Sequence, residues 1–467
     1  MAISPTEDII LIDFGSTYTK MVLISLGEER VRHTASHAST VKTDAMKGLR
    51  KCLGEAEEQL GFKRFRNAMK LASSSAAGGL KMAVIGISKD VSLRAGRSTA
   101  FGAGAKILHA FAGKLTEADI EALVEDEVEI LLLCGGYEKG NQSIPLFNAH
   151  LIAKSDLSIP VIYAGNSQVA QEIRYLLSIG QKECYIVDNI VPEIGVINSA
   201  PAERIVRDLF LTRIINMKGL ERVKQEIDGI LMPTPSAVLA AGELLATGTE
   251  TERGIEDLMI VDVGGATTDI YSFTHTVVQK GAKLSGSAEN YRKRTVESDL
   301  GLRESVHLLL ESVGFEKVRN ELKIEESRLH RSVDRRAKNV DYIPHTLEET
   351  RIDELMARYA VRISAERHAG YLEPVHASQH KFLQRGKNLT MIRHVLGTGG
   401  PIINSQNHRQ VLAAVLKEKV KDPYLLLPEE ASFYLDRQYI LYSMGLMKEY
   451  FPNAAFRILK KSLTPLP

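Results

Sequence analysis

The chain has 467 residues and a formal net charge of +1, and 44% of its residues are hydrophobic while 25% are charged. This composition is typical of a globular protein with two to four domains, and the near-neutral charge gives no reason to expect nucleic acid or a membrane as a partner. The three cysteines are isolated, which favours a reducing cytoplasm and argues against a disulfide scaffold, a zinc site or an iron–sulfur cluster. No apolar run approaches roughly 18 residues and no basic leader is visible, so we expect neither a transmembrane helix nor a signal peptide.

Residues 9–24 predict a hairpin with a turn of small residues. An apolar strand ends in Asp13, and a second strand follows the turn. Small residues let backbone N–H groups approach an anion, and an aspartate at the strand end can hold a hydrated divalent cation. Lys20 is a weaker candidate for a phosphate contact, because strand alternation can direct it outward. The candidate phosphate-binding residues here are Asp13, Gly15, Ser16, Thr17 and Lys20.

The next region predicts a helix over 43–61 and then, over 70–86, a strand, a small polar turn and a second strand. Ser73–Ser75 in that turn either line a nucleotide cleft or close a plain hairpin, and the hairpin is favoured. Residues 88–215 alternate between strand and helix patterns, which predicts a parallel sheet inserted into a larger fold. The predicted strands cover 129–133, 161–164 and 184–187, and the predicted helices cover 93–111, 117–123, 143–153 and 167–177.

Residues 258–273 repeat the plan of the first hairpin. A buried strand ends in Asp262, a small-residue turn follows, and Asp269 opens the next strand. Two such units about 250 residues apart predict a duplicated fold that grips one polyphosphate from both sides, although either stretch alone is equally consistent with a simple hairpin. A third glycine-rich turn within 392–403 could lie against a nucleoside. The candidate residues of these two turns are Gly264, Gly265, Ala266, Thr267, Thr268, Gly397, Gly399 and Gly400.

Residues 286–386 contain less glycine and more charge, which predicts a mostly helical subdomain. Glu297, Asp299 and Gly301 either reach back toward the nucleotide or mark a helix start. His376 and His380 would share a helix face, but no third ligand accompanies them and a metal site is the less favoured interpretation. The predicted helices cover 303–311, 316–330 and 348–373, with a final helix over 431–450.

The three turns, in this order, resemble those of the superfamily of actin, sugar kinases and heat-shock-chaperone ATPases. The small residues of 235–245 resemble the interlobe helix of that superfamily. This resemblance implies a two-lobed α/β ATPase fold built from duplicated ribonuclease-H-like domains. The first lobe would cover 1–230 with an α/β insertion at about 88–215, and the second would cover 231–467 with a helical subdomain at about 286–386. Ala266 replaces a glycine of the chaperone motif, which requires a negative φ at that residue.

Six stretches together resemble one family, the glutamate mutase accessory proteins, also called MutL or GlmL. These stretches are 11–20, 73–84, 131–136, 161–166, 261–269 and 397–401. The resemblance covers nearly the whole chain. It implies an ATP-dependent, chaperone-like factor that reactivates an adenosylcobalamin-dependent mutase or aminomutase by letting damaged cobalamin leave.

The resemblance also implies roles for the candidate residues. The two phosphate turns would hold the phosphates of ATP, Asp13 and Asp262 would hold Mg²⁺ through water, and Gly397, Gly399 and Gly400 would contact the nucleoside. Asp262 or Asp269 would orient the attacking water, and Asp269 could equally be a turn residue. Three other classes remain open: a small-molecule kinase with the same turns, a radical-dehydratase activator, which the isolated cysteines disfavour, and a filament-forming scaffold.

Overall fold

Fully buried apolar runs form the central strands of two large sheets, and loops with many polar residues connect them. The computed structural model describes residues 7–15, 18–41, 43–75, 80–213, 220–286, 288–375, 381–418 and 420–467. The strands are β1 (Asp8–Phe14), β2 (Tyr18–Ser25), β3 (Arg30–Ala38), β4 (Met69–Ser74), β5 (Lys81–Gly86), β6 (Lys106–Ala112), β7 (Ile130–Gly135), β8 (Val161–Gly165), β9 (Cys184–Ile186), β10 (Gly229–Pro233), β11 (Leu258–Val263), β12 (Thr268–Phe273), β13 (Ala282–Leu284), β14 (Arg292–Glu297), β15 (Tyr371–Pro374), β16 (Phe382–Arg385), β17 (His394–Thr398), β18 (Ser432–Leu435) and β19 (Thr464–Leu466).

Seventeen α-helices accompany these strands in the described part of the chain. They are α1 (Ala45–Leu60), α2 (Phe62–Asn67), α3 (Arg94–Gly102), α4 (Glu117–Glu125), α5 (Ser143–Lys154), α6 (Ala170–Ile179), α7 (Ala200–Arg213), α8 (Leu220–Glu226), α9 (Thr234–Thr247), α10 (Val306–Val313), α11 (Phe315–Leu322), α12 (Glu326–Lys338), α13 (Leu347–His368), α14 (Gly400–Ile403), α15 (His408–Leu412), α16 (Leu441–Lys448) and α17 (Pro452–Ser462). None of these described helices is long and apolar enough to span a membrane.

The two large sheets share one topology. The first has the order β3-β2-β1-β4-β10, and the second has the order β14-β12-β11-β17-β18 with β19 added at its edge. In both, the first three strands are antiparallel neighbours and the next two are parallel to the central strand. This repeated order is the duplicated, ribonuclease-H-like arrangement, and it confirms the predicted two-lobed, actin-like ATPase fold.

Helices α9 and α16 lie between the two sheets, each directly after the fifth strand of its own sheet. They approach so closely that a Cβ atom on Gly445 would overlap the carbonyl oxygen of Ala237. A Cβ atom on Gly242 would collide with the ring of Phe273 in the second sheet. The close packing predicted for 235–245 is therefore confirmed.

The insertion in the first lobe contains a fully parallel sheet of order β6-β5-β7-β8-β9, as predicted. Two expectations for this region were wrong. Residues 70–86 do not form a hairpin, because β4 pairs with β1 in the first large sheet while β5 belongs to the insertion. The helix predicted over 93–111 ends at Gly102, since Gly104 takes a φ of 86° and the apolar residues that follow form β6 beside β5.

The second lobe contains the predicted helical subdomain in α10–α13, together with a small sheet of order β13-β16-β15. The helix predicted over 316–330 is broken at Lys323, which adopts a left-handed conformation, and the helix predicted over 348–373 ends at His368. The helix predicted over 431–450 was also wrong in its first half, because Ser432–Leu435 pair with β17 as a strand. His376 and His380 lie outside the described residues.

Candidate functional site

The two predicted phosphate turns are closed by matching backbone hydrogen bonds. The N–H of Gly15 donates to the carbonyl of Tyr18 at 3.0 Å, and the N–H of Gly264 donates to the carbonyl of Thr267 at 2.9 Å. Neither glycine takes a positive φ; a Cβ atom would instead come within 2.6 Å of the Tyr18 oxygen or 3.2 Å of the Thr267 oxygen. A side chain is therefore excluded at Gly15, and it would be tightly placed at Gly264. The predicted Ser16 and Thr17 lie outside the described residues.

Asp13 is fixed at the carboxyl end of the first lobe's central strand. It is opposite Lys20 in β2 and beside Ser73 in β4. The hydroxyl of Thr234, the first residue of α9, donates to Asp13 Oδ1 at 2.5 Å, and Ser73 Oγ donates to the same oxygen at 3.4 Å. Burial raises the pKa of Asp13, although Lys20 and these two donors oppose the rise. Ser73 thus lies in the cleft, contrary to the favoured hairpin role, and Thr234 was missed.

Four residues of the second lobe occupy the matching positions. Asp262 ends the central strand, Asp269 is its partner in β12, and Thr398 is its neighbour in β17. Asp436 follows β18 directly, as Thr234 follows β10. Its carboxylate accepts the N–H groups of Ile440 and Leu441 at 2.9 and 3.1 Å and the Thr398 hydroxyl at 3.4 Å.

Asp436 was not predicted, because the pattern of residues 431–450 was interpreted as one helix. A strand ending at Leu435 would have placed an aspartate at the carboxyl edge of the sheet, where ligands bind in open parallel sheets. Burial raises the pKa of Asp436, and its hydrogen bonds and Lys20 counteract this.

The carboxyl group of Asp262 has a strongly raised pKa. Burial, and then the negative charge of Asp269, raise its pKa to about 7, while Lys20 lowers it. The Lys20 ammonium lies 4.7 Å from the centre of the Tyr439 ring, and its charge acts on carboxylates of both lobes. The expectation that strand alternation could direct Lys20 outward was therefore wrong.

Asp269 is held in a buried ion pair. Its Oδ1 accepts Arg294 Nε at 2.9 Å and Arg294 Nη2 at 2.6 Å, and its Oδ2 accepts the Thr267 hydroxyl at 2.9 Å. Arg294 was not predicted, because it lies on β14, 25 residues further along the chain. The two cleft aspartates of this hairpin thus differ, since Asp269 is neutralised by a fixed cation and Asp262 is not.

Residues 300–305 pack against the second predicted phosphate turn. The N–H groups of Leu302 and Arg303 donate to the carbonyls of Gly264 and Gly265 at 3.1 and 2.8 Å. A Cβ atom on Gly301 would overlap the backbone of the turn. Gly301 therefore supports the turn through packing.

The structure also defines the surroundings of four further residues near this turn. Ala266 does not take a positive φ, as was required for an alanine to replace glycine at this position. The hydroxyl of Thr268, a predicted binding residue, donates instead to the carbonyl of Leu300 at 2.7 Å. Glu297 and Asp299 both accept Arg367 Nη1, at 2.7 and 2.8 Å, and the next helix begins only after Ser305, so neither caps it.

The third turn packs directly onto the end of the second lobe's central strand. Gly399 has a φ of 91°, and a Cβ atom there would overlap the carbonyl oxygen of Val263 and lie 2.8 Å from Asp262 Oδ1. Gly397 packs against Leu412 with no room for a side chain, whereas a Cβ atom on Gly400, at the start of α14, would make only ordinary contacts with Tyr439 and Asn404. The second and third predicted turns therefore meet at Asp262.

The described residues contain no group of three or more histidine, cysteine or carboxylate side chains close enough to ligate a metal together. The candidate cation residues remain Asp13 and Asp262, one from each lobe. Oxygen donors of this kind suit a hard cation that keeps most of its water ligands, as Mg²⁺ does.

The family model described as MutL protein matches residues 9–463 of the chain. Protein MutL of Clostridium tetanomorphum is 37% identical over 456 residues, which is 97% of this chain and 98% of that protein. Two solved structures are similar at a lower level. The activator of 2-hydroxyisocaproyl-CoA dehydratase from Clostridium difficile is 9% identical with a TM-score of 0.32, covering 98% of this chain and 99% of that one. Gluconate kinase from Lactobacillus acidophilus is 11% identical with a TM-score of 0.36, covering 98% and 92%. At these TM-scores the two structures carry no weight for this chain.

Proposed function

The chain belongs to the MutL protein family, and from this premise we propose that it is an ATP-dependent accessory factor that reactivates an adenosylcobalamin-dependent mutase. The observation that supports the ATPase most strongly is the pair of matching turns on two sheets of the same strand order. Each turn offers small residues and backbone N–H groups beside an aspartate, which suits a Mg²⁺–polyphosphate ligand.

The proposed roles follow from the two lobes. The first turn with Asp13 and the second turn with Asp262 would hold the phosphates of ATP and its hydrated Mg²⁺ from opposite sides. Bound Mg²⁺ would neutralise phosphate charge. The small residues of the third turn, Gly399 and Gly400, would adjoin the nucleoside. Catalysis of this kind depends mainly on positioning and charge stabilisation.

Asp262 is the better candidate for orienting the attacking water. Its carboxylate has no fixed cation of its own, whereas both oxygens of Asp269 are occupied by Arg294 and Thr267. Water would attack the γ-phosphorus, the bond to the bridging oxygen would break, and ADP and inorganic phosphate would leave. We therefore assign Asp269 a positioning role in the second turn.

The proposed client is a mutase that has lost the adenosyl group of its cobalamin. Contacts to the γ-phosphate from both turns would favour a closed arrangement of the lobes, about 1–230 and 231–467, and hydrolysis would release it. A mutase bound to the protein could then open and exchange the damaged cofactor. Glutamate mutase is the first candidate client, and an ornithine or lysine aminomutase is the alternative.

The test is a time course of mutase activity after inactivation with hydroxocobalamin. With this protein, ATP, Mg²⁺ and fresh adenosylcobalamin, we expect activity to return, while ADP should not sustain repeated recovery. Asp262→Asn should abolish the recovery, and Asp341→Asn, at an exposed site outside the insertion, serves as the matched control.

Equal recovery with and without ATP, or no recovery with any of the three candidate mutases, would contradict the reactivase proposal. In that case transfer of the γ-phosphate to a screened panel of small metabolites tests the kinase alternative with the same protein.

A further inference from the structure

Arg294 joins the second-lobe phosphate hairpin to the first-lobe insertion. Its Nε and Nη2 donate to Asp269 in the hairpin, and its Nη1 donates to the carbonyl of Phe101 at 3.1 Å. Phe101 lies in the last turn of α3, within the insertion. The guanidinium is buried and lies 5.7 Å from the centre of the Tyr271 ring. One planar group thus bonds the cleft and the insertion at the same time.

The carboxyl end of α3 is suited to receive this cation. The last carbonyl groups of a helix carry partial negative charge and attract a positively charged donor, and the Phe101 carbonyl accepts Arg294 in addition to the N–H of Gly104 at 3.0 Å. Gly102, the final residue of α3, has no side chain, and a Cβ atom there would lie 2.9 Å from a carboxylate oxygen of Glu203. The helix end is therefore fixed between Arg294 on one side and Glu203 on the other.

Two neighbouring contacts join the same surfaces without touching the cleft. Arg292 Nη2 bonds Glu203 Oε2 at 2.7 Å, and Arg385 Nη1 lies 3.6 Å from a carboxylate oxygen of Asp90. These pairs are more exposed than the Arg294 pair. Among the described arginines of β14, only Arg294 reaches both Asp269 and α3.

We propose that Arg294 is a positioning residue that couples the second-lobe phosphate turn to α3, so that nucleotide binding at the turn changes the order of the insertion. This rests on the proposed nucleotide function. A phosphate held by the second turn would change the field around Asp269, and Arg294 would pass the resulting shift to the carbonyl of Phe101. The insertion is then the part of the molecule whose surface a partner can read.

The test uses Arg294→Lys in the full-length protein. A lysine ammonium can pair with Asp269, but it lacks the planar fork needed to bond Phe101 at the same time. Hydrogen exchange is measured at the amides of 94–102 with and without Mg²⁺–ATP. We expect ATP to slow this exchange several-fold in the wild-type protein and to leave it unchanged in Arg294→Lys. Arg292→Lys, on the same strand but away from Asp269, should keep the wild-type response.

Thermal shift with Mg²⁺–ATP separates the two hypotheses. If ATP produces no thermal shift in the wild-type protein, the proposal of nucleotide binding itself fails. If ATP shifts the melting temperature of Arg294→Lys and also slows exchange at 94–102 as in the wild type, only the proposal of coupling through Arg294 is overturned. If Arg294→Lys does not fold, hydrogen exchange in the wild-type protein still tests the coupling. ATP should slow exchange in α3 but not in α5, on the far part of the insertion, and an equal change in both helices or none in α3 overturns the proposal.

Discussion

Asp262 and Asp269 lie directly opposite each other in the β11–β12 hairpin, whereas the matching pair in the first lobe is Asp13 and Lys20. Directly opposed side chains of an antiparallel pair are close neighbours, and like charges there are destabilising. Arg294 is hydrogen-bonded to Asp269, and the charges of Lys20 and, more weakly, Arg294 oppose the effect of burial on the pKa of Asp262. In the first hairpin the cation, Lys20, belongs to the hairpin itself. The second hairpin carries two carboxylates instead and receives its cation, Arg294, from the neighbouring strand β14.

Removing the charge of Asp262 should stabilise the nucleotide-free protein and disable the site. Asp262→Asn is nearly isosteric and relieves the repulsion from Asp269, so we expect a gain of up to about 1 kcal/mol in unfolding free energy at pH 8 without Mg²⁺. ATP hydrolysis should fall at least about a hundredfold, because the group that we propose orients the attacking water is lost. Thermal denaturation and phosphate release measure the two effects. A stability loss together with wild-type hydrolysis would remove Asp262 from the site.

Thr234 should matter through its bond to Asp13. Thr234→Val keeps the shape of the side chain but removes the donor to a buried carboxylate, an interaction worth about 1.5–3 kcal/mol. We expect hydrolysis of Mg²⁺–ATP to fall about tenfold or more. Thr247→Val is the matched control on the same helix, because its exposed hydroxyl donates only to backbone carbonyls, those of Glu243 and Gly248. If both variants hydrolyse ATP alike, Thr234 has no role in the cleft.

Local sequence patterns predicted the three turns. The site residues that these patterns missed are placed by strand pairing between distant parts of the chain. Asp13 and Asp262 each follow an apolar run within one hairpin, so a short window of sequence contains the whole signal. Ser73 has the same local sequence whether it closes a hairpin or lines a cleft, and only the pairing of β4 with β1 places it beside Asp13. Arg294 and Asp436 reach the site from strands whose order in the sheet no local pattern specifies.

Lys387 should give the stability of the protein a distinct pH dependence. The side chain is fully buried, and its ammonium donates to the carbonyls of Asn290 and Tyr291 at 2.8 and 2.6 Å. Burial lowers the pKa of Lys387 to about 7, well below the value of about 10.4 for an unfolded lysine. The charge of Lys293 lowers this pKa further, whereas Glu289 and Asp257 raise it slightly.

Between pH 7 and about 10 the unfolded chain holds this proton while the folded chain has released it, so the contribution of Lys387 to stability rises with pH. Below pH 7 both states are protonated and the full cost of burying the ammonium is present. Lys387→Met should therefore be most favourable relative to wild type at pH 7 and lose about 1.4 kcal/mol of that advantage per pH unit above it. Urea denaturation at several pH values measures this difference. Lys280→Met, at an exposed lysine, should show no such slope, and a flat difference for Lys387→Met would mean that its pKa is not lowered.

The contact between α9 and α16 should tolerate no added methyl group. Alanine is a better helix former than glycine by about 1 kcal/mol, so helix propensity alone predicts that Gly445→Ala stabilises the protein. The new Cβ atom would overlap the Ala237 carbonyl, which belongs to the backbone and cannot rotate away. We expect this overlap to outweigh propensity and to cost about 1–3 kcal/mol net, measured as a lower urea midpoint. Gly27→Ala, which adds its methyl group to open space at a surface turn, should leave the midpoint nearly unchanged. Because the same helix pair lies between the two sheets, Gly445→Ala should also weaken the thermal shift produced by Mg²⁺–ATP. A raised urea midpoint together with a wild-type thermal shift would show that the helices are not in close contact.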